Sequence, residues 1–155
     1  MYDYLIIGAG IAGTGLAYFL PEGASVAILE MEDQPGYHTT GRSAAFYAET
    51  YGGPKVQPLT TASKAFLRSP PEGFGALMGH NRGCLYLFDQ PREQQARAWH
   101  QELCAAIPTI KLLSPDEVLA NTPVIDRTKI SGAIWDPDCT DLDVAALHQG
   151  YMRGF

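Results

Sequence analysis

"YLIIGAGIAGTGLAYFL" occupies residues 4–20 and carries three patterns in direct succession. Its first four residues are apolar, a run of the length expected for a buried parallel strand. Residues 8–13 then read G-x-G-x-x-G, and apolar residues recur at helical spacing from Ile11 to Leu20. The order predicts a strand, a tight glycine turn and a helix, the first half of a βαβ unit.

A second apolar run, "SVAILE" at residues 25–30, completes that unit and ends in Glu30. Glu30 lies about 20 residues past the glycines, where a carboxylate accepts hydrogen bonds from an adenosine ribose. Gly8 permits the tight turn, Gly10 lets backbone approach a pyrophosphate, and Gly13 lets the helix pack on the sheet. The context favours a dinucleotide site over a structural glycine turn, and Glu30 disfavours a 2′-phosphate.

Composition excludes several classes of partner. The chain has 155 residues and a net charge of −6, without a run of Lys or Arg. Nucleic acids and anionic membranes attract clustered cations, so neither is expected as a partner. No apolar stretch is long enough to span a bilayer, and the N-terminus lacks a signal peptide, so we expect a cytoplasmic protein. The scattered Cys84, Cys104 and Cys139 indicate reduced, buried thiols rather than a disulfide framework or metal site.

The segment "GYHTTGRSAAFY", residues 36–47, combines small residues, hydroxyls, one His and one Arg directly after the second strand. A nicotinamide-binding domain, which would explain the first thirty residues, gives no reason for this segment. Together with "IIGAGIAGTGLAYFL" and Glu30, it resembles the D-amino-acid oxidase and glycine oxidase superfamily of FAD-dependent enzymes. "QPGYHTTGRSAAFYAETYG", "LTTASKAFL", "PPEGF" and "DVAALHQGYMRG" are most similar to bacterial D-amino-acid dehydrogenases of the D-arginine dehydrogenase kind.

The resemblance implies an α/β fold: a Rossmann-like, three-layer FAD-binding domain, incomplete here, with the beginning of a substrate domain. It implies the N-terminal part of the FAD domain at residues 1–80, a first substrate or cap segment at 81–135, and a truncated return helix of the FAD domain at 136–155. Family members run to more than twice this length, so we expect the chain alone to be inactive. The alternatives are a non-catalytic fragment with weak or no cofactor and, less favoured, an NAD-binding domain.

The resemblance also implies that the segment after the second strand crosses the flavin and that a helix starts there. The residues expected to contact FAD are Gly8, Gly10, Ile11, Ala12, Gly13, Glu30, Met31, His38, Thr39, Thr40, Gly41, Arg42, Ser43, Ala44 and Ala45. In some relatives a His at about the place of His38 is bonded covalently to the flavin. For His38 the preferred interpretation is a hydrogen bond to the cofactor or to backbone. Phe46 and Tyr51 are expected to face the substrate, and no residue of this portion is assigned a catalytic or metal-binding role.

The implied reaction oxidises a D-amino acid, a small-molecule substrate, by hydride transfer from its α-carbon to FAD. The imino acid formed hydrolyses to a keto acid and ammonia. D-arginine-preferring relatives carry a His where this chain has Phe46, so a preference for arginine is not expected. The sequence leaves the electron acceptor open.

Local signals predict the remaining elements. We expect a helix from about Thr60 to Pro70, strands at "CLYLF", "TIKLL" and "ISGAIWD", and a helix at "DQPREQQARAWHQELCAAI". Ser114 and Glu117 form a capping-box pattern, and Asp143 is placed to cap a last helix. His100 and His148 lie on predicted helices without partners in sequence, which indicates surface or hydrogen-bonded structural histidines.

Overall fold

The computed structural model describes residues 1–155. Its regular elements alternate between short strands and helices. In chain order they are β1 (Tyr4–Ile7), α1 (Ile11–Tyr18), β2 (Val26–Leu29), β3 (Phe46–Tyr47), α2 (Gly53–Arg68), β4 (Met78–Asn81), β5 (Cys84–Phe88), α3 (Glu93–Ala106), β6 (Lys111–Leu113), α4 (Pro115–Asn121), β7 (Gly132–Asp136), β8 (Thr140–Leu142) and α5 (Val144–Gly154). Single 3-10 turns lie at Thr40–Arg42, Gln90–Arg92 and Arg127–Lys129. The α/β class predicted from the sequence is confirmed.

The chain forms two units. The first contains Met1–Phe46, Ser63–Gly79 and Leu142–Phe155, and the second contains Tyr47–Ala62 and His80–Asp141. No helix combines the length and apolar composition that crossing a bilayer requires.

The first unit contains the predicted βαβ arrangement. Strands β1 and β2 pair in parallel, with Tyr4 opposite Val26 and Ile7 opposite Leu29. The ladder continues past β1, where the Gly8 amide donates to the Leu29 carbonyl at 2.7 Å. Gly8 has a φ of +94°, a conformation that glycine adopts without steric cost, and this turns the chain into α1. The glycine turn therefore stands at the carboxyl ends of both strands.

Aromatic side chains pack the helical side of this unit. Tyr18 contacts Phe74 and Tyr151 with ring centroids 5.2 and 5.3 Å apart, and Phe66 stacks on Tyr151 at 6.1 Å. A Cβ at Gly154 of α5 would lie 2.4 Å from the Tyr18 ring. The glycine therefore makes room for the ring. Aromatic pairs such as these stabilise by about 0.5–1.5 kcal/mol each beyond their area burial.

The second unit is an antiparallel sheet in the order β5-β7-β6, so β7 is central. Its apolar core consists of Phe88, Leu103, Ile107, Ile110 and Ile134. The capping box at the start of α4 is present as predicted, with Ser114 N donating to Glu117 Oε2 at 2.8 Å and Glu117 N donating back to Ser114 Oγ. The predicted cap of α5 is present too, since Asp143 accepts from Ala146 N.

Two sequence expectations were wrong in detail. Helix α2 begins at Gly53 rather than near Thr60. Pro54 is tolerated in the first turn of a helix, and Pro58 lies one turn further on, inside α2. No helix begins at the segment after β2; that segment has a single 3-10 turn and leads into β3. All three cysteines are free, but only Cys139 is fully buried.

A buried polar network ties β7 to the loop before α2 within the second unit. Asp136 is 1% exposed, and its Oδ2 accepts from Thr50 Oγ1 at 3.2 Å while Oδ1 accepts from Asp138 N at 3.0 Å. Thr50 Oγ1 also lies 2.7 Å from Tyr86 Oη. Burial raises the pKa of Asp136 above its ordinary value, against the lowering effect of these hydrogen bonds. Burial also raises the pKa of Tyr86, to about 12.

The first prediction concerns the glycine turn. A Cβ at Gly13 would lie 2.0 Å from the Gly8 carbonyl oxygen, whereas one at Gly15 would make ordinary contact with Tyr151 at 3.4 Å. Gly13→Ala should lower stability by about 1–3 kcal/mol through overpacking against fixed backbone. Gly15→Ala, the control in the same helix, should be neutral or stabilising by up to about 1 kcal/mol. Urea unfolding followed by circular dichroism measures both, and equal midpoints would contradict the predicted contact.

The second prediction concerns Asp136. A raised pKa means that the folded state holds the proton of Asp136 more tightly than the unfolded chain does. Protonated Asp136 therefore contributes stability that is fully present below pH 3.8 and is lost as pH rises through the raised pKa. The amide of Asp136→Asn does not titrate, so this variant does not lose that stability as pH rises. Its side chain still offers hydrogen-bond partners to Thr50 and Asp138. Its urea midpoint should therefore rise relative to that of the unchanged protein between pH 4 and pH 7.

Asp136→Leu is the contrasting variant, because it leaves the Asp138 amide without its acceptor and the buried Thr50 hydroxyl with Tyr86 Oη as its one remaining partner. It should destabilise at every pH, by about 1–3 kcal/mol for each group left unsatisfied. A midpoint difference between Asp136→Asn and the unchanged protein that does not vary with pH would exclude titration of Asp136.

Candidate cofactor site

The site is built around the glycine turn of the first unit. Helix α1 begins at Ile11. Its N-cap residue, Gly10, has no side chain and so cannot accept a hydrogen bond from the first amides of the helix. The first amides of a helix lack intrahelical acceptors and carry the positive end of the helix dipole. A Cβ on Gly8 would meet no heavy atom within 4 Å, and one on Gly10 would meet only the Thr40 hydroxyl. A ligand can therefore approach the backbone here, and the Gly10 amide, which has no acceptor within the chain, suits a diphosphate.

Glu30 follows β2 and lies against the turn, as the spacing predicted. Its Oε2 accepts from Ala9 N at 2.8 Å, and its Oε1 accepts from Met31 N at 2.7 Å and Glu32 N at 3.1 Å. These backbone bonds, that from Glu32 most strongly, lower the pKa of Glu30 below its ordinary value of 4.5. The side chain is therefore a fixed carboxylate at neutral pH.

The lone pairs of Glu30 limit what a ligand gains there. A carboxylate offers about four acceptor positions. Three are occupied by the amides of Ala9, Met31 and Glu32. Without rearrangement, Glu30 thus has room for about one further bond from a sugar hydroxyl, on Oε2.

The segment after β2 closes over the turn from one side. Thr40 Oγ1 accepts from Ile11 N at 3.0 Å, so this hydroxyl takes up the first amide of α1. Gly36 has a φ of +76°, and Gly41 N donates to the Gly36 carbonyl at 2.7 Å. A cleft of about 410 Å³ lies between this segment and the N-terminus of α5 and is lined by Gly36, Thr40, Gly41, Ser43 and His148, among others.

Other residues expected at the cofactor make contacts of their own. His38 Nε2 lies 2.8 Å from Glu32 Oε1, with more than half of the His38 side chain exposed. The Arg42 guanidinium lies 5.3 Å from the centre of the Tyr37 ring. Thr39 precedes the 3-10 turn and provides no side-chain cap for it. The exposed stretch 41–44 leaves Ala44 accessible, and Ala45 is half-buried.

The two residues expected to face a substrate are both exposed. Phe46 belongs to the first unit and is 47% exposed, whereas Tyr51 belongs to the second unit and is 74% exposed. Neither is part of the hydrophobic core. Both lie in strand or loop structure rather than on a helix leaving the segment after β2.

Sequence reasoning missed the part that α5 plays. His148 is buried, and its Nε2 lies 2.8 Å from the carbonyl oxygen of Ala9 in the glycine turn. The bond joins residues far apart in sequence, so no local pattern predicts it. One signal was present: His148 shares the inward face of α5 with Leu147 and Tyr151, and a histidine on such a face needs a partner.

Comparisons with solved structures bear on the fold. Superposition on solved structures covers 99% of this chain and 45% of glycine oxidase from Geobacillus kaustophilus, with a TM-score of 0.82 and 18% identity. For L-proline dehydrogenase from P. horikoshii the TM-score is 0.80 and the identity is 20%. The match covers 99% of this chain and 41% of that chain. L-alpha-glycerophosphate oxidase from Mycoplasma pneumoniae, solved with FAD bound, has a TM-score of 0.77 and 17% identity. The match covers 97% of this chain and 41% of that chain.

An uncharacterized protein of Methanocaldococcus jannaschii is 36% identical over 69 residues, which cover 44% of this chain and 19% of that protein. The chain thus spans less than half the length of each of these relatives. Residues 3–155 match the model of a family described as DAO, FAD dependent oxidoreductase. The chain therefore belongs to the DAO family of FAD-dependent oxidoreductases, whose cofactor is FAD.

Proposed function

We propose that this chain is the FAD-binding portion of an enzyme that oxidises D-amino acids. The substrate would lose a hydride from its α-carbon and a proton from its amino group. The imino acid formed would take up water and release a keto acid and ammonia. When bound, FAD supplies the redox chemistry by accepting the hydride. The residues described here bind and orient the partners of that reaction.

One observation carries the proposal: the turn of residues 8–13 presents the Gly10 amide, which has no acceptor within the chain, beside a carboxylate that backbone bonds hold ionised. The amides at the start of α1 would hold the diphosphate, and Glu30 would accept from the adenosine ribose, with Met31 next to it. This arrangement explains how a chain with a net charge of −6 binds an anionic cofactor without a cluster of cations.

The segment from His38 to Ala45 would extend along the flavin. Gly41 brings backbone close to the ring, Ser43 offers a hydroxyl, and Ala44 and Ala45 leave room for a flat ring system. His38 would contact the cofactor by a hydrogen bond rather than a covalent bond. Arg42, whose guanidinium lies over the Tyr37 ring, would turn toward a phosphate or a flavin carbonyl.

Two observations support an amino acid as the substrate. The segment "GRSAAFYAETYG" resembles the D-amino-acid dehydrogenases of this family. Several similar structures are of enzymes named for amino acids, including glycine oxidase, L-proline dehydrogenase and L-amino acid deaminase. The D configuration rests on the sequence resemblance. Phe46 would face the substrate, and its exposure leaves the ring available for contact.

Removal of the Glu30 carboxylate tests the cofactor site. Glu30→Ala removes the acceptor of a ribose hydroxyl and also frees Ala9 N, which positions the turn. The loss of a charge-assisted hydrogen bond should lower FAD affinity by roughly tenfold or more. Titration of FAD into the 155-residue chain, followed by flavin fluorescence, measures the change.

Glu22→Ala is the matched control, because it removes an exposed carboxylate from the loop before β2 in the same unit. Its FAD affinity should equal that of the unchanged chain. Circular dichroism verifies that all three proteins are folded. Equal FAD affinities for Glu30→Ala and the unchanged chain would remove Glu30 from the site. An unchanged chain that retains no flavin after free FAD has been removed would contradict the proposed function.

Phe46 provides the test of substrate choice. An apolar ring at the pocket strips water from a guanidinium without replacing it, so the full-length enzyme should prefer hydrophobic D-amino acids to D-arginine. Phe46→His offers a polar contact of about 1–3 kcal/mol, which should shift the ratio of kcat/KM for D-arginine over D-leucine upward by roughly 5- to 150-fold. The same change at exposed Phe19 should leave the ratio unaltered, and an unaltered ratio in Phe46→His would exclude Phe46 from the pocket.

A further inference from the structure

His148 holds the glycine turn from the side of α5. The imidazole is 8% exposed, and its Nε2 lies 2.8 Å from the Ala9 carbonyl oxygen. A carbonyl oxygen only accepts, so Nε2 carries the hydrogen and donates. Both atoms are buried, where a missing partner would cost more than at the surface. The contact is therefore a specific bond between the last helix and the loop that meets the cofactor.

The ring also fills a space that only glycine leaves free. A Cβ on Gly36 would lie 3.1 Å from Cε1 and 3.3 Å from Nδ1 of His148, and Gly36 has a φ of +76°. The imidazole is thus held between the glycine turn and the segment after β2. Its orientation toward Ala9 is fixed by packing as well as by the hydrogen bond.

The bond to Ala9 has a geometric consequence for the next amide. In a trans peptide the carbonyl and the following N–H point in opposite directions. Because His148 draws the Ala9 carbonyl toward α5, the Gly10 N–H is directed away from α5. That N–H has no acceptor within the chain. Glu30 meanwhile binds the Ala9 N–H, so the peptide groups on both sides of the Ala9 Cα are fixed.

We propose that His148 is a positioning residue of the cofactor site: by binding the Ala9 carbonyl, it aims the Gly10 N–H at the diphosphate of FAD. This inference rests on the proposed placement of the diphosphate at the glycine turn. The turn of residues 8–13 takes its shape from neighbours on two elements, Glu30 after β2 and His148 in α5.

A matched pair of variants separates the hydrogen bond from packing. His148→Gln keeps an N–H donor at about the reach of Nε2, and His148→Met has similar length and fills buried gaps but cannot donate. His100→Met, on α3 of the second unit, controls for the same change elsewhere. Circular dichroism and urea midpoints establish that each variant is folded before either readout is taken.

Two readouts test the role. In the 155-residue chain without FAD, hydrogen exchange of the amides in residues 8–13 should accelerate about five- to tenfold in His148→Met and stay near the unchanged rate in His148→Gln. FAD titration should show an affinity about five- to tenfold lower for His148→Met and within about twofold of the unchanged chain for His148→Gln. His100→Met should alter neither quantity.

The outcomes are distinct. Unchanged exchange and affinity in His148→Met would overturn the inference, and so would equal losses in both His148 variants, which would assign the residue to packing alone. If His148→Met does not fold, His148→Gln decides alone: unchanged exchange and affinity support the role, and a loss of either overturns it. Absence of FAD binding by the unchanged chain would overturn the proposed function, while exchange without FAD would still report whether His148 shapes the turn.

Discussion

The approach of Gly13 to the carbonyl oxygen of Gly8 is the constraint on which the first unit depends. A Cβ at residue 13 would lie 2.0 Å from that oxygen, so α1 can begin where it does only with glycine there. The start of α1 in turn sets the direction of its free amides and its contact with α5. The arrangement of helix, strands and anion-binding loop thus follows from one backbone-to-backbone contact, and the side chains around it adjust to that contact.

Electrostatics at this site depend on dipoles more than on net charge. The chain carries 17 acidic and 11 basic residues, yet the amides of the glycine turn at the start of α1 favour an anion. Glu30, an anion that follows β2 and lies against this turn, is stable there because three backbone N–H groups converge on it. The same kind of donor that would receive a phosphate therefore also fixes the carboxylate that would receive a sugar.

Local signals in the sequence predicted the elements whose causes are local. The strand, glycine turn and helix at residues 4–20, the capping box at Ser114 and the cap at Asp143 each depend on neighbours within a few residues. The start of α2 was missed because proline patterns suggest a helix boundary without locating it. The partners of His148 and Thr40 are set by tertiary packing, which periodicity and spacing do not encode. The likeness to FAD enzymes came from a combination of motifs rather than from any one of them.

The bond between His148 and Ala9 spans 139 positions of the chain, and this has a consequence for folding during synthesis. At about 5–20 residues per second, the ribosome needs roughly 7–28 s after making the glycine turn to deliver its partner on α5. During that interval β1, α1 and β2 can associate, since their contacts are local. The Ala9 carbonyl must meanwhile remain bonded to water or to another donor. A nascent chain can therefore acquire the βαβ unit early, but its glycine turn reaches its final shape only when α5 emerges.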